Sequence, residues 1–240
     1  LFTTVPRLLE KVYEKIVERG ASLSGFQKKI FDAALGLARR HRIGESPSLQ
    51  DRLLKPLVDR LVFQKWREAL GGRVNFIISG GAALRPELIH IFDAAGITIL
   101  QGYGLTETSP VISFTRAHDN RPGTVGVPIA GVEAAIGEDD EILTRGPHVM
   151  KGYYKQPEET RKVIDPDGWF HTGDLGAIEN GHLRITGRKK SLFKLSTGKY
   201  VIPQPLETKL QHDPLIEKAL ILGEGRKFCS ALIFPNLKQL

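Results

Sequence analysis

Residues 101–108 read Gln-Gly-Tyr-Gly-Leu-Thr-Glu-Thr and directly follow a glycine and a short β-branched apolar run at 97–100. The run predicts a buried strand. Glycine permits positive φ and close approach to a ligand, so the Gly-Tyr-Gly turn can offer Tyr103 to a flat ring and aim Thr106 and Glu107 at charged groups. The alternative is an ordinary strand-to-helix loop with a buried tyrosine.

A second apolar run lies about twenty residues upstream. Residues 74–84 read Val-Asn-Phe-Ile-Ile-Ser-Gly-Gly-Ala-Ala-Leu and lead to Pro86, which is typical of a helix start. Strand, glycine-rich loop, helix and strand predict a βαβ unit. Its two loops are then expected at the same sheet edge, where open α/β sheets bind ligands.

Two polar motifs follow downstream, Gly-Trp-Phe-His-Thr-Gly-Asp-Leu-Gly at 168–176 and Ile-Thr-Gly-Arg-Lys-Lys at 185–190. Asp174, after a glycine, can accept bonds from two vicinal hydroxyls, although a turn-capping role is the alternative. Between the motifs, Asn180-Gly181 predicts a tight hairpin. His171 is interpreted as a packing or hydrogen-bonding residue because no Ser or Cys nucleophile pattern accompanies it.

With these four stretches in this order, the chain resembles the adenylate-forming superfamily, and within it the long-chain fatty-acyl-CoA synthetases. The resemblance implies an α/β fold. Residues 1–187 would form the C-terminal part of the large AMP-binding domain, with βαβ layers and a small β-rich subdomain. Residues 188–191 would be a hinge, and residues 192–240 the beginning of a small α+β domain.

The resemblance also implies an activity: ATP and a fatty acid give acyl-AMP and pyrophosphate, and the acyl group then passes to CoA. The alternatives are an adenylate-forming enzyme for an aryl, short-chain or amino acid, or a nucleotide-binding fragment without turnover. The resemblance implies that adenine lies at Gly80, Gly81, Ala82 and Tyr103, with Gly104 in the same turn. The α-phosphate would lie at Thr106 and Mg²⁺ at Glu107, and these two residues would be the catalytic pair. The ribose would lie at Asp174 and Arg188, and the CoA pantetheine at Gly198.

Charge and composition limit the partners. The net charge is +7, and residues 1–75 carry its whole surplus, with 15 Lys and Arg against 8 Asp and Glu. Three helical patterns with basic faces in this region, at about 8–17, 26–37 and 53–70, predict ordinary solvated helices or, alternatively, contact with an anionic membrane surface. Nucleic acid is a weaker candidate because aromatic residues do not interleave with the charges. The oligomeric state has no sequence signal.

Apolar runs of about 18 residues, which a membrane span requires, do not occur. The single cysteine, Cys229, excludes an internal disulfide and is expected as a buried thiol in a strand at 228–234. These features predict a cytoplasmic protein, with a peripheral position at the membrane as the alternative.

The first residue is Leu1 and the sole methionine is Met150, from which we expect an internal piece of a longer protein. The resembling enzymes carry a Ser/Thr/Gly-rich phosphate loop before this region and a reactive-site lysine after it. Neither segment is recognised in the sequence, so the piece by itself is expected to be inactive.

Overall fold

The computed structural model describes residues 2–211, 213 and 215–237. The chain divides into two compact units, Leu1–Ile129 and Ala130–Leu240, which are described separately. None of the helices in these residues combines the length and the apolar character that crossing a bilayer requires.

The first unit contains one mixed sheet flanked by helices. Its five strands lie in the order β1-β2-β3-β4-β5, with β1, β2 and β3 parallel and the remaining pairs antiparallel. The strands are β1 Phe2–Thr4, β2 Phe76–Ser79, β3 Thr98–Gly104, β4 Val111–Phe114 and β5 Val127–Pro128. The helices are α1 Pro6–Ala21, α2 Gly25–Arg40, α3 Leu49–Val58, α4 Gln64–Ala69 and α5 Pro86–Ala94. The predicted βαβ unit is therefore confirmed as β2-α5-β3.

Apolar side chains from the helices and from β2 and β3 form the core of this unit. Packing is close enough to dictate glycine at one position. A Cβ on Gly20 of α1 would lie 1.9 Å from the ring of Phe31 on α2. Glycine, which normally weakens a helix, is required here so that the aromatic ring can lie against the backbone.

The third helical pattern is confirmed, but it is not a single α-helix. The π-helical segment Asp59–Phe63 joins α3 to α4. Pro56 lies inside α3 and has no N–H to donate to the preceding turn. The wider π turn alters which side chains face inward. Phe63 is fully buried, whereas Leu61, which α-helical spacing would place on the apolar side, is 39% exposed.

The second unit contains an antiparallel sheet in the order β6-β7-β8-β9 and two antiparallel strand pairs. Its strands are β6 Glu133–Ile136, β7 Glu141–Arg145, β8 Phe170–Glu179, β9 His182–Arg188, β10 Phe193–Lys194, β11 Tyr200–Val201, β12 Ile216–Leu222 and β13 Ser230–Pro235. Its helices are α6 Pro157–Val163 and α7 Pro203–Leu210. The predicted hairpin is confirmed, since Asn180 and Gly181 both have positive φ, as the β8–β9 turn requires.

Two expectations for the second unit have different outcomes. Cys229 is half-buried and lies just before β13, so the expected buried strand thiol is wrong. The chain leaves Arg188 through a 3₁₀ turn at Lys189–Ser191 and continues into β10. The domain boundary at 188–191 stays a prediction.

Arg67 spans the π segment and stabilises it. Its two terminal nitrogens donate to the two carboxylate oxygens of Asp59 at 2.9 and 3.0 Å, and Nη1 also donates to the Ala95 carbonyl at 2.7 Å. We expect Arg67→Ala to lower the free energy of unfolding by about 1 kcal/mol, since the pair is partly exposed and the carbonyl loses a donor. Urea unfolding measures this effect. Arg60→Ala, at an exposed position of the same segment, is the control and should change little.

Candidate functional site

The carboxyl ends of β2 and β3 meet at one edge of the first sheet. The strands pair in parallel with Ser79 opposite Gln101, so the loop after β2 begins beside the last residues of β3, 102–104. A Cβ on Gly80 would be only 3.5 Å from the carbonyl oxygen of Gly102. The structure therefore brings the 80–82 loop and the Gly-Tyr-Gly segment together, as the sequence predicts.

The two glycines around Tyr103 do not form the turn that the sequence predicts. Residues 102–104 belong to β3 instead of forming a turn, and neither Gly102 nor Gly104 has positive φ. The reason for glycine is the antiparallel neighbour β4. A Cβ on Gly104 would lie 1.6 Å from the Pro110 carbonyl oxygen, and one on Gly102 would lie 3.2 Å from the Phe114 ring.

The turn after β3 is a 3₁₀ turn, Thr106–Thr108, and buried Thr108 anchors it. The Thr108 hydroxyl accepts from the Leu105 N–H at 2.9 Å and lies 2.6 Å from the Pro110 carbonyl oxygen. Thr106 is exposed and Glu107 is half-buried. The two predicted catalytic side chains thus stand on a short turn that a buried threonine holds in place.

The residues present fit a nucleotide-associated magnesium ion. Across the described residues, no group of three or more His, Cys, Asp or Glu side chains could enclose a metal. Mg²⁺ is commonly held by one or two carboxylates, with phosphate oxygens and water completing its octahedron. Glu107, which follows Thr106 in the same turn, is compatible with that mode of binding.

One buried polar atom at this sheet edge has no partner. The Ser79 hydroxyl ends β2, is almost fully buried, and makes no hydrogen bond to the described residues. Gly81, two residues later, has φ of 82° and open space where a Cβ would point. The 80–82 loop is therefore open on the side to which a Cβ of Gly81 would point. Tyr103 is buried, with 8% of its surface exposed.

In the second unit, Asp174 and Arg188 are opposite each other on β8 and β9. Arg188 Nε donates to Asp174 Oδ1 at 3.0 Å; the aspartate side chain is 6% exposed and the arginine side chain 65% exposed. The family resemblance implies that both are ribose ligands, and the structure places them side by side. An arginine fixed at Nε still presents its terminal N–H groups to a ligand.

A β-bulge sets the position of Asp174. The register between β7 and β8 shifts between Glu141 and Leu143, which leaves 172–174 bulged out of β8. Within the bulge, the Thr172 hydroxyl donates to the Ile142 carbonyl at 2.7 Å and accepts from the Asp174 N–H at 3.1 Å. Bulges redirect side chains beside functional sites, and this one presents the aspartate.

Glu141 is buried beside this bulge. Burial by itself would raise the pKa of its carboxyl, but hydrogen bonds from Lys189, from His171 and from the Gly173 N–H outweigh that effect and lower the pKa below its usual range. The same contact raises the pKa of Lys189. The pair is therefore ionised at neutral pH. The hydrogen-bonding role interpreted for His171 is confirmed.

Gly198 is the turn residue between β10 and β11. Its φ of 89° requires glycine, and its N–H donates to the Leu195 carbonyl at 2.9 Å. No neighbour would obstruct a Cβ there, so the conformation and not crowding selects glycine.

Sequence reasoning missed three residues that hold the sites in place. Gln101 is buried, with its backbone N–H bonded to the Thr115 hydroxyl and its side-chain amide bonded to the Thr124 carbonyl, both at 2.6 Å. Thr108 and Glu141 are the others. A polar residue inside an apolar strand was the available signal for Gln101. Thr108 bonds to its near neighbours Leu105 and Pro110, whereas the partners of Glu141 depend on the fold.

This fold is that of an α/β protein with ligand loops at the carboxyl edge of its parallel strands. A family model described as AMP-binding enzyme matches residues 1–154, and one described as AMP-binding enzyme C-terminal domain matches residues 190–239. The chain belongs to the AMP-binding enzyme family, and its structure is a partial adenylate-forming domain.

Among curated relatives, the long-chain-fatty-acid–CoA ligase FadD15 of Mycobacterium tuberculosis is 42% identical over 96% of this chain and 38% of its own length. The peroxisomal long chain acyl-CoA synthetase 6 of Arabidopsis thaliana is 36% identical over 97% of this chain and 34% of its own length. The chain thus spans little more than a third of these relatives.

Solved structures show the same likeness. ATP-bound MatB from Rhodopseudomonas palustris has a TM-score of 0.62 and 29% identity, covering 76% of this chain and 40% of that protein. O-succinylbenzoate coenzyme A synthetase (MenE) from Bacillus subtilis, in complex with AMP, has a TM-score of 0.62 and 26% identity, covering 72% and 40% respectively.

Gly104 should be the more sensitive of the two strand glycines. Gly104→Ala forces a Cβ against the backbone of Pro110, so we expect a loss of about 2–3 kcal/mol in the free energy of unfolding. Gly102→Ala is the matched control, because its nearest neighbour is a side chain that can shift. Chemical denaturation of both variants measures the difference. Equal stability of the two would contradict the packing explanation.

Proposed function

We propose that this chain forms the nucleotide-binding part of a long-chain fatty-acid–CoA ligase. The observation that carries the proposal is that relatives 42%, 36% and 33% identical over nearly the whole chain are named long-chain-fatty-acid–CoA ligases or synthetases. In this reaction a fatty carboxylate attacks the α-phosphate of ATP, which yields acyl-AMP and pyrophosphate. The CoA thiol then displaces AMP.

The proposed nucleotide contacts are the following. Gly80, Gly81, Ala82 and Tyr103 contact adenine in the first unit, and the open 80–82 loop with the unpartnered Ser79 hydroxyl supports that role. In the second unit Asp174 accepts from the ribose hydroxyls while Arg188 donates to them. Gly198 lies against the pantetheine arm of CoA.

Thr106 and Glu107 contribute through position and charge. The Thr106 hydroxyl donates to the α-phosphate, and Glu107 supplies a carboxylate oxygen to Mg²⁺. Phosphoryl chemistry of this kind depends mainly on positioning and charge neutralisation, for which a turn anchored by buried Thr108 is well suited.

A different carboxylic acid is the second candidate substrate. It is supported by the structural likeness to the O-succinylbenzoate coenzyme A synthetase of Bacillus subtilis, at 26% identity. Incubating the full-length protein with ATP and a panel of long-chain, short-chain, aryl and amino acids separates the two. Mass spectrometry should detect acyl-AMP with the long-chain acids. Product from another acid class alone would overturn the proposed substrate.

The role of Glu107 gives a prediction on metal dependence. Glu107→Gln should slow pyrophosphate release by about 10²-fold at limiting Mg²⁺, since a ligand of the ion is lost, while metal-free AMP binding stays near the wild-type value. A Mg²⁺ titration of the full-length protein measures this change. Glu87→Gln, an exposed residue at the start of α5, is the control. Wild-type rates in Glu107→Gln at limiting Mg²⁺ would refute the assignment.

The basic first third of the chain supports a further proposal, peripheral contact with an anionic membrane surface. Leu49, Leu53 and Leu57 form an outward stripe at helical spacing on α3 and are 79%, 83% and 50% exposed. Exposed Arg52 and Arg60 lie near this stripe in the sequence. Leucines beside arginines are typical of helices that rest in the lipid interface, from which a fatty acid would be drawn.

Vesicle sedimentation tests this contact. The protein should bind anionic vesicles more strongly than neutral ones, and binding should fall as salt rises, because the attraction is electrostatic. Leu53→Asp should weaken binding, whereas Leu232→Ser, at a position 63% exposed on β13, should not. Identical binding to both lipids, or no effect of Leu53→Asp, would show that the stripe serves another contact.

A further inference from the structure

The acidic residues between β6 and β7 differ sharply in burial. Glu138, Asp139 and Asp140 are exposed, as expected of a hairpin tip. Glu141, the next residue, begins β7 and keeps 7% of its surface exposed. A buried carboxylate is costly unless it is paired and hydrogen-bonded, so its contacts indicate what it is retained for.

Both oxygens of the Glu141 carboxylate are used. Oε1 accepts from the backbone N–H of Gly173 at 3.0 Å. Oε2 accepts from Lys189 Nζ at 3.1 Å and lies 3.3 Å from His171 Nδ1. The carboxylate therefore joins three strand segments, the start of β7, the bulge in β8 and the residue that follows β9.

The partners of Glu141 flank the Asp174–Arg188 pair. Gly173 immediately precedes Asp174, and Lys189 immediately follows Arg188. Gly173 has φ of 71° inside the bulge. A hydrogen bond that fixes its N–H therefore also restrains the backbone that carries the Asp174 side chain. A single side chain thus restrains the backbone on both sides of the proposed ribose-binding pair.

We propose that Glu141 is a positioning residue for ribose recognition, holding Asp174 through the Gly173 N–H and Arg188 through Lys189. This inference rests on the proposed function, because it presumes that the pair binds the nucleotide ribose. Glu141 itself does not touch the nucleotide. Loss of its carboxylate should relax the bulge and the end of β9, which weakens the contacts to the ribose hydroxyls more than those to other parts of the substrates.

A purely structural role makes a different prediction. If Glu141 only stabilised the sheet, its removal would lower stability and would reduce kcat/KM for ATP and for the deoxynucleotides by the same factor. If it positions the ribose pair, preference for ATP over 2′-deoxy-ATP and 3′-deoxy-ATP should fall while the KM for the fatty acid stays constant. The preference ratio therefore separates the two roles.

The experiment measures acyl-AMP formation by the full-length protein, so that the later CoA step does not enter. For Glu141→Gln we expect the ratio of kcat/KM for ATP to that for the deoxynucleotides to fall about five- to tenfold. Glu133→Gln is the matched control. It removes a carboxylate of the same sheet with a two-point contact to Arg145, and it should leave the ratio unchanged.

Lys189→Met covers the case in which Glu141→Gln does not fold. It removes one partner of Glu141 from a half-exposed position, and the ratio should fall about two- to threefold. An unchanged ratio in folded Glu141→Gln, or in Lys189→Met if the first variant is unfolded, overturns the inference. Wild-type protein that forms no acyl-AMP with any acid would refute the proposed function itself, and the inference with it.

Discussion

The parallel pairing of β2 with β3 is the constraint on which the first unit depends. It sets Ser79 opposite Gln101, so the backbone of Gly80 comes close to that of Gly102. At Gly80 a Cβ would still make an ordinary van der Waals contact, whereas at Gly104 it would lie 1.6 Å from the Pro110 carbonyl oxygen, so close packing requires glycine at 104. Close backbone approach explains the glycine at 104, whereas a positive φ of 82° explains the glycine at 81.

In the second unit, buried hydrogen bonds hold Asp174 and Arg188 in position. The bulge at 172–174 interrupts the ladder between β7 and β8, and such an interruption leaves backbone groups that need new partners. Thr172 and Glu141 supply them. An ionised carboxylate inside the sheet is tolerated because Lys189 and a backbone N–H compensate its burial. The same contacts hold Asp174 beside Arg188.

Much of the architecture could be predicted from the sequence because its signals are local. Helical periodicity located α1 and α2, Pro86 marked the start of α5, and Asn180-Gly181 defined the β8–β9 turn. The π segment could not be predicted, since an α-helical spacing places Leu61 inward whereas the structure leaves it 39% exposed and buries Phe63. The Gly-Tyr-Gly stretch was interpreted as a turn because the strand that crowds it, β4, lies later in the chain.

By itself, the sequence predicted which residues would carry the chemistry, and it determined the order in which they occur. Short-range patterns of glycine and polar residues can be recognised without knowledge of the fold. Such motifs predicted the roles of Gly80, Tyr103, Thr106, Glu107, Asp174 and Arg188. The tertiary structure decided how these residues are held. Gln101 bonds to Thr115 and Thr124, 14 and 23 positions away, and Glu141 reaches Lys189 across 48 positions. A hydrogen bond between distant segments has no local signature, because only the paired strands bring its donor and acceptor within reach.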